Sequence, residues 1–158
     1  MRDLLLRGAG PGDEQTIVTL LGEAASCQRM SQEFSLTAAE ARKTLTGPGA
    51  TARCLLAFAD GAPAGIALWF WSYRSFRGRR GLFLEDLYVR PGLRRQGLGT
   101  QMLGHLAEVA RARGAFMEWV VLDWNTSAQE FYARLGGVPK TEFIGFRLDG
   151  EQLQKLAS

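Results

Sequence analysis

The chain has 158 residues, a formal net charge of +3 and 22% charged residues. That profile fits one soluble globular domain, residues 1–158, able to bury a core without metal or disulfide. No apolar run approaches the ~20 residues that span a bilayer. The opening MRDLLLRGAGPGDE lacks the long apolar stretch and small-residue cleavage site of a signal peptide. Cys27 and Cys54 form no CxxC or Cys/His cluster. This argues against a zinc site and a disulfide framework and makes a reducing cytoplasm the expected setting, with no metal and no membrane partner. The positive charge gathers in Arg74, Arg77, Arg79 and Arg80, and in Arg90, Arg94 and Arg95. It suits an anionic ligand but is too mild to argue for nucleic acid.

Residues 3–8 are predicted as a first strand, broken by Gly10-Pro11-Gly12. Asp13 is expected to cap a helix running to Ser26, with Ile17, Leu20, Leu21 and Ala24 on one face. Thr37-Ala38-Ala39-Glu40 matches a capping box and opens a second helix that ends by Gly47-Pro48-Gly49. Residues 52–59 and 63–73 read as strands joined by Asp60-Gly61, a strong hairpin signal. Arg74 to Gly81 reads as a basic loop, and residues 82–89 (LFLEDLYV) as a long strand. A helix is expected from Gly97 to Arg113, its apolar face formed by Leu98, Met102, Leu106 and Val109. Residues 115–122 read as a strand, followed by a helix opened by Asn125 or Thr126 and closed by Gly136-Gly137. A short strand over 143–148 and a terminal helix from Gly150 complete a mixed α/β pattern.

Between strand and helix stands Arg94-Arg95-Gln96-Gly97-Leu98-Gly99. A helix start offers unpaired N–H groups and the positive end of the dipole, a ready site for a pyrophosphate. Glycines let phosphate approach the backbone, and arginines add charge-assisted contacts. The segment is neither a nucleotide-hydrolysing P-loop nor a dinucleotide fingerprint. On its own it reads equally as a tight turn with solvated arginines.

The pattern R-x-x-G-x-G, following a strand and opening an amphipathic helix, resembles the coenzyme A pyrophosphate loop of the GNAT acetyltransferase superfamily. VLDWNTSAQEFYARLGG is similar to that family's second cofactor segment, and FLEDLYV and GFRLDGEQLQKLA resemble its diamine (spermidine/spermine-type) or thialysine acetyltransferase branch. The resemblance implies a central mixed, mostly antiparallel sheet flanked by helices, with strands splayed at the cofactor cleft. It also implies acetyl-CoA as cosubstrate, held by Leu87, Tyr88, Val89, Arg94, Arg95, Gln96, Gly97, Leu98, Gly99, Thr100, Asn125 and Tyr132. The acceptor it implies is a primary amine of a small molecule.

Such an amine has a pKa near 10 and needs help to lose its proton at neutral pH. Glu85 and Asp86 lie together in an apolar strand, where charge is costly unless used. Strict alternation puts Glu85 with Phe83, Leu87 and Val89, and Asp86 with Leu84 and Tyr88. By resemblance Glu85 is the base, Asp86 a contact for the substrate cation, and Tyr132 the acid that protonates the leaving thiolate. The oxyanion is expected at the amides around Leu87 and Val89, beside a bulge, with their carbonyls gripping the pantetheine arm. His105 is read as structural and Cys27 as a buried small hydrophobe.

One departure matters. Where relatives of this branch commonly carry Tyr-Glu, this chain has Cys27-Gln28, with Glu33 nearby as the remaining acid. Gln28 and Glu33 are the expected substrate contacts on that side, and the loss of an acid disfavours a polyamine. The arginines before Leu82 are instead suited to a substrate carboxylate. Competing readings are acetylation of a protein or aminoglycoside amine, a non-catalytic acyl-CoA sensor, and a nucleic-acid-binding domain. A homodimer is expected by resemblance, with Phe143 to Leu148 as the segment that pairs with a second copy; alternatively that segment completes its own sheet.

Overall fold

The computed structural model describes residues 2–157. The chain divides into two compact units, one up to Val120 and one from Val121 onward.

The first unit is a five-stranded sheet in the order β1-β2-β3-β4-β5. Its strands are β1 (Leu4–Gly8), β2 (Arg53–Ala59), β3 (Ala62–Arg74), β4 (Arg79–Val89) and β5 (Phe116–Trp119). The first four are antiparallel neighbours, and β5 joins β4 in parallel. Asp60 and Gly61 both have positive φ, 50° and 77°. That is the turn whose twist suits a two-residue hairpin.

Helix α1 (Glu14–Cys27) covers one sheet face. Its Ile17, Leu20, Leu21 and Ala24 form a cluster with Cys54, Leu56, Ile66 and Tyr88. Helix α3 (Leu98–Arg111) lies on the opposite face, its buried stripe being Leu98, Met102, Leu103, Leu106 and Ala110. Gly65 belongs to the α3 face, where an added Cβ would stand 3.4 Å from the Met102 sulfur. Between α1 and β2, α2 (Ala38–Ala41) opens with the expected capping box of Thr37 and Glu40. It continues as a wider π-helical turn, Arg42–Thr46.

Four expectations are corrected. Asp13 occupies the N-cap position but makes no side-chain cap. Its carboxylate accepts instead from Arg7 Nη1 and Nη2, at 2.7 and 2.9 Å, and from Gly10 N–H. A bidentate charged partner outweighs one neutral amide. The basic loop is shorter than expected, because β4 starts at Arg79 and pairs Arg79 with Arg74. Strand β5 ends at Trp119, opposite Leu84 of β4. Residues 143–148 form no strand among the described residues. An alternating apolar run becomes a strand only where an edge receives it.

In the second unit, α4 (Thr126–Arg134) and α5 (Gly150–Ala157) are the regular elements. Gly136, at φ 89°, and the bond from Gly137 N–H to the Tyr132 carbonyl end α4 as the sequence suggests.

Candidate active site

The two acids of LFLEDLYV sit at a break in β4. Leu68 pairs with Asp86 and Trp69 with Leu84, which leaves Glu85 as the extra residue of a β-bulge. The bulge reverses the alternation on its far side. Leu84 therefore shares the α3 face with Leu87 and Val89, while Phe83 shares the α1 face with Asp86 and Tyr88. This corrects the strict alternation expected from sequence, which exchanged Phe83 and Leu84. Phe83 stacks on Phe70, its register partner, with ring centroids 5.1 Å apart.

Glu85 is exposed, whereas Asp86 is half-buried. Among the described residues nothing donates a hydrogen bond to Asp86 and no cation pairs with it. Burial, with the neighbouring Glu85 charge second, pushes its carboxyl up to about 6. On the same face the Cys54 thiol is pushed up to about 12, again by burial first and Asp86 second. Tyr88 has a partner: its hydroxyl donates to Glu23 Oε2 at 3.0 Å. Burial and that bond push it up to about 12. Glu23 also accepts from Arg90 Nε and Nη2, at 3.0 and 2.8 Å, which holds its carboxyl below the usual range. Arg90 donates in addition to the Pro63 carbonyl at 2.8 Å.

The outer edge of β4 opens at the bulge. Strand β5 pairs with β4 only from Gly81 to Leu84, because the bulge turns the following edge away from it. Arg90 N–H bonds to the Ala64 carbonyl across β3. Antiparallel alternation then turns Tyr88 and Asp86 toward β3, and Leu87 and Val89 outward. Outward N–H groups of Leu87 and Val89 thus line the open edge. Of the two outward carbonyls, that of Val89 already accepts from Arg94 Nε at 2.8 Å.

Arg94 is committed further. Its Nη2 donates to the Cys27 sulfur at 3.5 Å, and its guanidinium carbon stands 5.7 Å from the centre of the Tyr88 ring. Beyond it the chain turns through Arg95 at φ 60° and Gly97 at φ 83°. Gln96 donates to the Gly92 carbonyl at 3.1 Å. The first bond of α3 runs from Gln101 N–H to Gly97, so the N–H groups of Leu98, Gly99 and Thr100 precede the helical ladder. Leu98 anchors the turn in the core, while Gly97 and Thr100 are exposed. Successive amides here form a cradle for an anion, with Arg95 exposed beside it. The open edge and this cradle fit a long ligand with a polar arm and phosphates.

In the second unit Asn125 caps α4, its side-chain oxygen accepting from Ala128 N–H at 3.2 Å. Tyr132 lies two turns along α4, half-buried.

A family model described as Acetyltransferase (GNAT) family matches residues 19–137, a stretch that runs through both units. The chain belongs to the GNAT acetyltransferase family. It is an N-acetyltransferase, and its GNAT relatives cover it almost end to end. It is 33% identical to a thialysine N-epsilon-acetyltransferase of Bos taurus, over 99% of each chain. It is 34% identical to one of Caenorhabditis elegans, over 93% of this chain and 92% of the relative. Among solved structures, an aminoglycoside N-acetyltransferase AAC(6′)-Iy in complex with CoA superposes with TM-score 0.74 at 18% identity, over 94% and 96% of the two chains.

The GNAT site departs from its sequence reading at the end of α1. Cys27 is exposed rather than buried, because it ends the helix facing Arg94. Gln28 follows it as the helix C-cap, half-buried. Glu33 lies in a short 3-10 turn, Ser31–Glu33, and lines an open concavity with Phe34, Ser35, Leu36, Glu40 and Thr44. His105 is exposed on α3. Sequence reasoning missed Glu23 and Arg90, the pair that ties α1 to the end of β4. Arg90 directly follows that strand, but nothing in sequence links it to a glutamate 67 residues earlier.

Proposed function

We propose that this N-acetyltransferase carries the acetyl group of acetyl-CoA to the primary amine of a small molecule, a lysine analogue of the thialysine type ahead of a diamine or polyamine. The observation that carries the reading is Asp86: a half-buried carboxylate with no partner among the described residues, one residue from the outward amide of Leu87. Such a group costs stability unless a ligand supplies the cation. The thialysine names of the relatives matched almost end to end support the lysine-analogue side. So does Gln28, a neutral amide where an acid would serve a second cation.

The hairpin arginines are not the partner of such a substrate's carboxylate. Arg79 stands seven residues from Asp86 on one strand, roughly 20 Å at ~3.3 Å per residue. A lysine-sized amino acid spans at most ~9 Å from ammonium to carboxyl carbon, six bonds of ~1.5 Å.

The cosubstrate supplies an acetyl thioester. Leu98, Gly99 and Thr100 offer N–H groups to its phosphates, with Arg95 beside them. The outward N–H groups of Leu87 and Val89 are available to the oxyanion that forms when the amine attacks. Tyr132, through its hydroxyl, returns a proton to the leaving thiolate.

Two copies act together in this reading. Phe143, Ile144 and Phe146 are 74%, 82% and 96% exposed, more apolar surface than a lone chain comfortably leaves in water. Light scattering is expected to give twice the chain mass, and a monomeric mass would refute the dimer.

Release of free thiol from acetyl-CoA tests the activity with thialysine, lysine, spermidine, putrescine, an aminoglycoside and a lysine-containing peptide. Turnover is expected with thialysine and lysine, and a fall of about 100-fold or more in kcat for Tyr132→Phe. Turnover confined to the peptide or the aminoglycoside would overturn the substrate class; none with any amine would overturn the acceptor reading.

A further inference from the structure

The two neighbouring acids of β4 are not equivalent, and the bulge is what separates them. Glu85 is the residue without a register partner, and it is exposed. Asp86 returns to the regular ladder opposite Leu68, on the α1 face. Its carboxylate is half-buried on the face that also carries Cys54 and Tyr88, with no hydrogen-bond donor and no cation among the described residues. It is also the residue next to Leu87, whose N–H faces the open edge.

We propose that Asp86, rather than Glu85, takes the proton from the acceptor ammonium, and that Glu85 acts on the reaction only through its charge on Asp86. The inference rests on the amine-acetyltransferase reading above. The step is a proton transfer followed by attack. The ammonium R–NH3+ gives a proton to Asp86, leaving R–NH2 and a neutral carboxyl. The amine nitrogen forms a bond to the thioester carbon, the carbon–sulfur bond breaks, and the thiolate leaves. Tyr132 gives its proton to the thiolate, the second nitrogen proton restores the Tyr132 hydroxyl, and Asp86 returns its own proton to water.

The groups that face Asp86 leave it free to titrate in the working range. Cys54 from β2 and Tyr88 on β4 are both pushed up to about 12 and stay neutral. Glu23 from α1 is held by Arg90 and Tyr88, and Arg94 stands over the Tyr88 ring, turned to Val89. Leu68 from β3 brings no charge. Burial is the larger reason that Asp86 is pushed up to about 6, and the Glu85 charge the smaller. A base poised there works near neutral pH, whereas an ordinary carboxylate is a weak one.

The test is the pH profile of kcat/KM for the amine, on the full chain with acetyl-CoA. The wild type is expected to lose activity on the acid side with a midpoint near 6. Asp86→Asn is expected to lower kcat about 100-fold or more and to abolish that limb, with acetyl-CoA affinity kept. Asp86→Glu restores part of the rate. Glu85→Gln keeps kcat within about tenfold and moves the limb to lower pH, because a neighbouring negative charge is gone. A parallel NMR titration of the Asp86 carboxyl reads the same midpoint without turnover. A limb that survives in Asp86→Asn and vanishes in Glu85→Gln, or an Asp86 carboxyl titrating near 4, overturns the proposal while amine acetylation stands. A wild type that acetylates no amine overturns both.

Discussion

Arg94 Nε donates to the carbonyl oxygen of Val89 at 2.8 Å, which binds the first arginine of the glycine-rich loop back to the end of the strand that precedes it. The sequence invites a different use, a guanidinium aimed at phosphate. In the folded chain that guanidinium closes the turn between β4 and α3, and in the proposed function the phosphates are left to backbone amides and Arg95. Arg94→Ala is therefore expected to loosen the cradle rather than remove a ligand contact. One charge-assisted bond of about 1.5 kcal/mol corresponds to a roughly tenfold rise in KM for acetyl-CoA. Steady-state kinetics checks it: kcat is expected to hold within about twofold, and an unchanged KM would count against the latch.

Glu23 joins three elements through one carboxylate. It accepts from Tyr88 and Arg90, and Arg90 reaches the Pro63 carbonyl where β3 begins. Both charged side chains are about one-third exposed, at 34%, so solvent screening keeps the stabilisation modest. Glu23→Gln is expected to cost about 1 kcal/mol, or roughly 2–4 °C in Tm for a chain of this size. The Glu23 carboxyl lies below its ordinary value of 4.5 in the folded chain. Its stabilisation is therefore present above that value and lost as pH falls through the lower, folded-state value. Thermal melts at pH 7 are expected to separate wild type from variant, and melts at strongly acid pH to bring them together.

Much of this fold was legible because local chemistry agreed with tertiary need. Asp60-Gly61, the Thr37–Glu40 box, the α1 stripe and the Asn125 cap each depend on neighbours within a few residues, and each formed as read. The glycine-rich loop was legible for the same reason. What failed depends on distant partners. The bulge at Glu85 comes from a count of residues on β3 against β4, and a strand's own sequence carries no such count. It exchanged Phe83 and Leu84 between faces, ended β5 at Trp119, and separated two acids that look alike in sequence. The Glu23–Arg90 pair has no local signature at all. Residues 143–148 have a strand's composition, yet they form no strand among the described residues, because a strand needs a paired neighbour that its own sequence does not specify.

Gly65 is a strand glycine whose role appears only in the sheet. An added Cβ would stand 2.6 Å from the Tyr88 carbonyl oxygen and 3.5 Å from the Val89 Cα. These are backbone atoms and cannot swing aside, so β3 would have to move from β4 beside the open edge. Gly65→Ala is expected to destabilise by about 2–3 kcal/mol, a fall of roughly 4–12 °C in Tm. Because the displaced backbone carries the Val89 amide, acetyl-CoA affinity is expected to fall with it. Calorimetry on the free and acetyl-CoA-saturated protein reads both, and a variant that melts like the wild type would deny the close approach.

Asp86 links function to stability with opposite signs. Its folded-state value, about 6, stands above the ordinary 3.8. At low pH the group is neutral in both folded and unfolded chains and costs nothing. As pH rises between those two values, the unfolded chain ionises more readily than the folded one, and stability falls until both are charged. The full difference corresponds to about 3 kcal/mol at ~1.4 kcal/mol per pH unit; partial solvent access reduces it to about 2 kcal/mol. Asp86→Asn keeps the shape and removes the charge. It is expected to be the more stable protein at pH 8, by roughly 4–8 °C in Tm, and no more stable than wild type at pH 3.5. Denaturant unfolding at the two pH values checks this without reference to catalysis. Equal stabilities at pH 8 would mean that the wild-type carboxylate already has a cation beside it, and would remove the reason for expecting the acceptor's ammonium there.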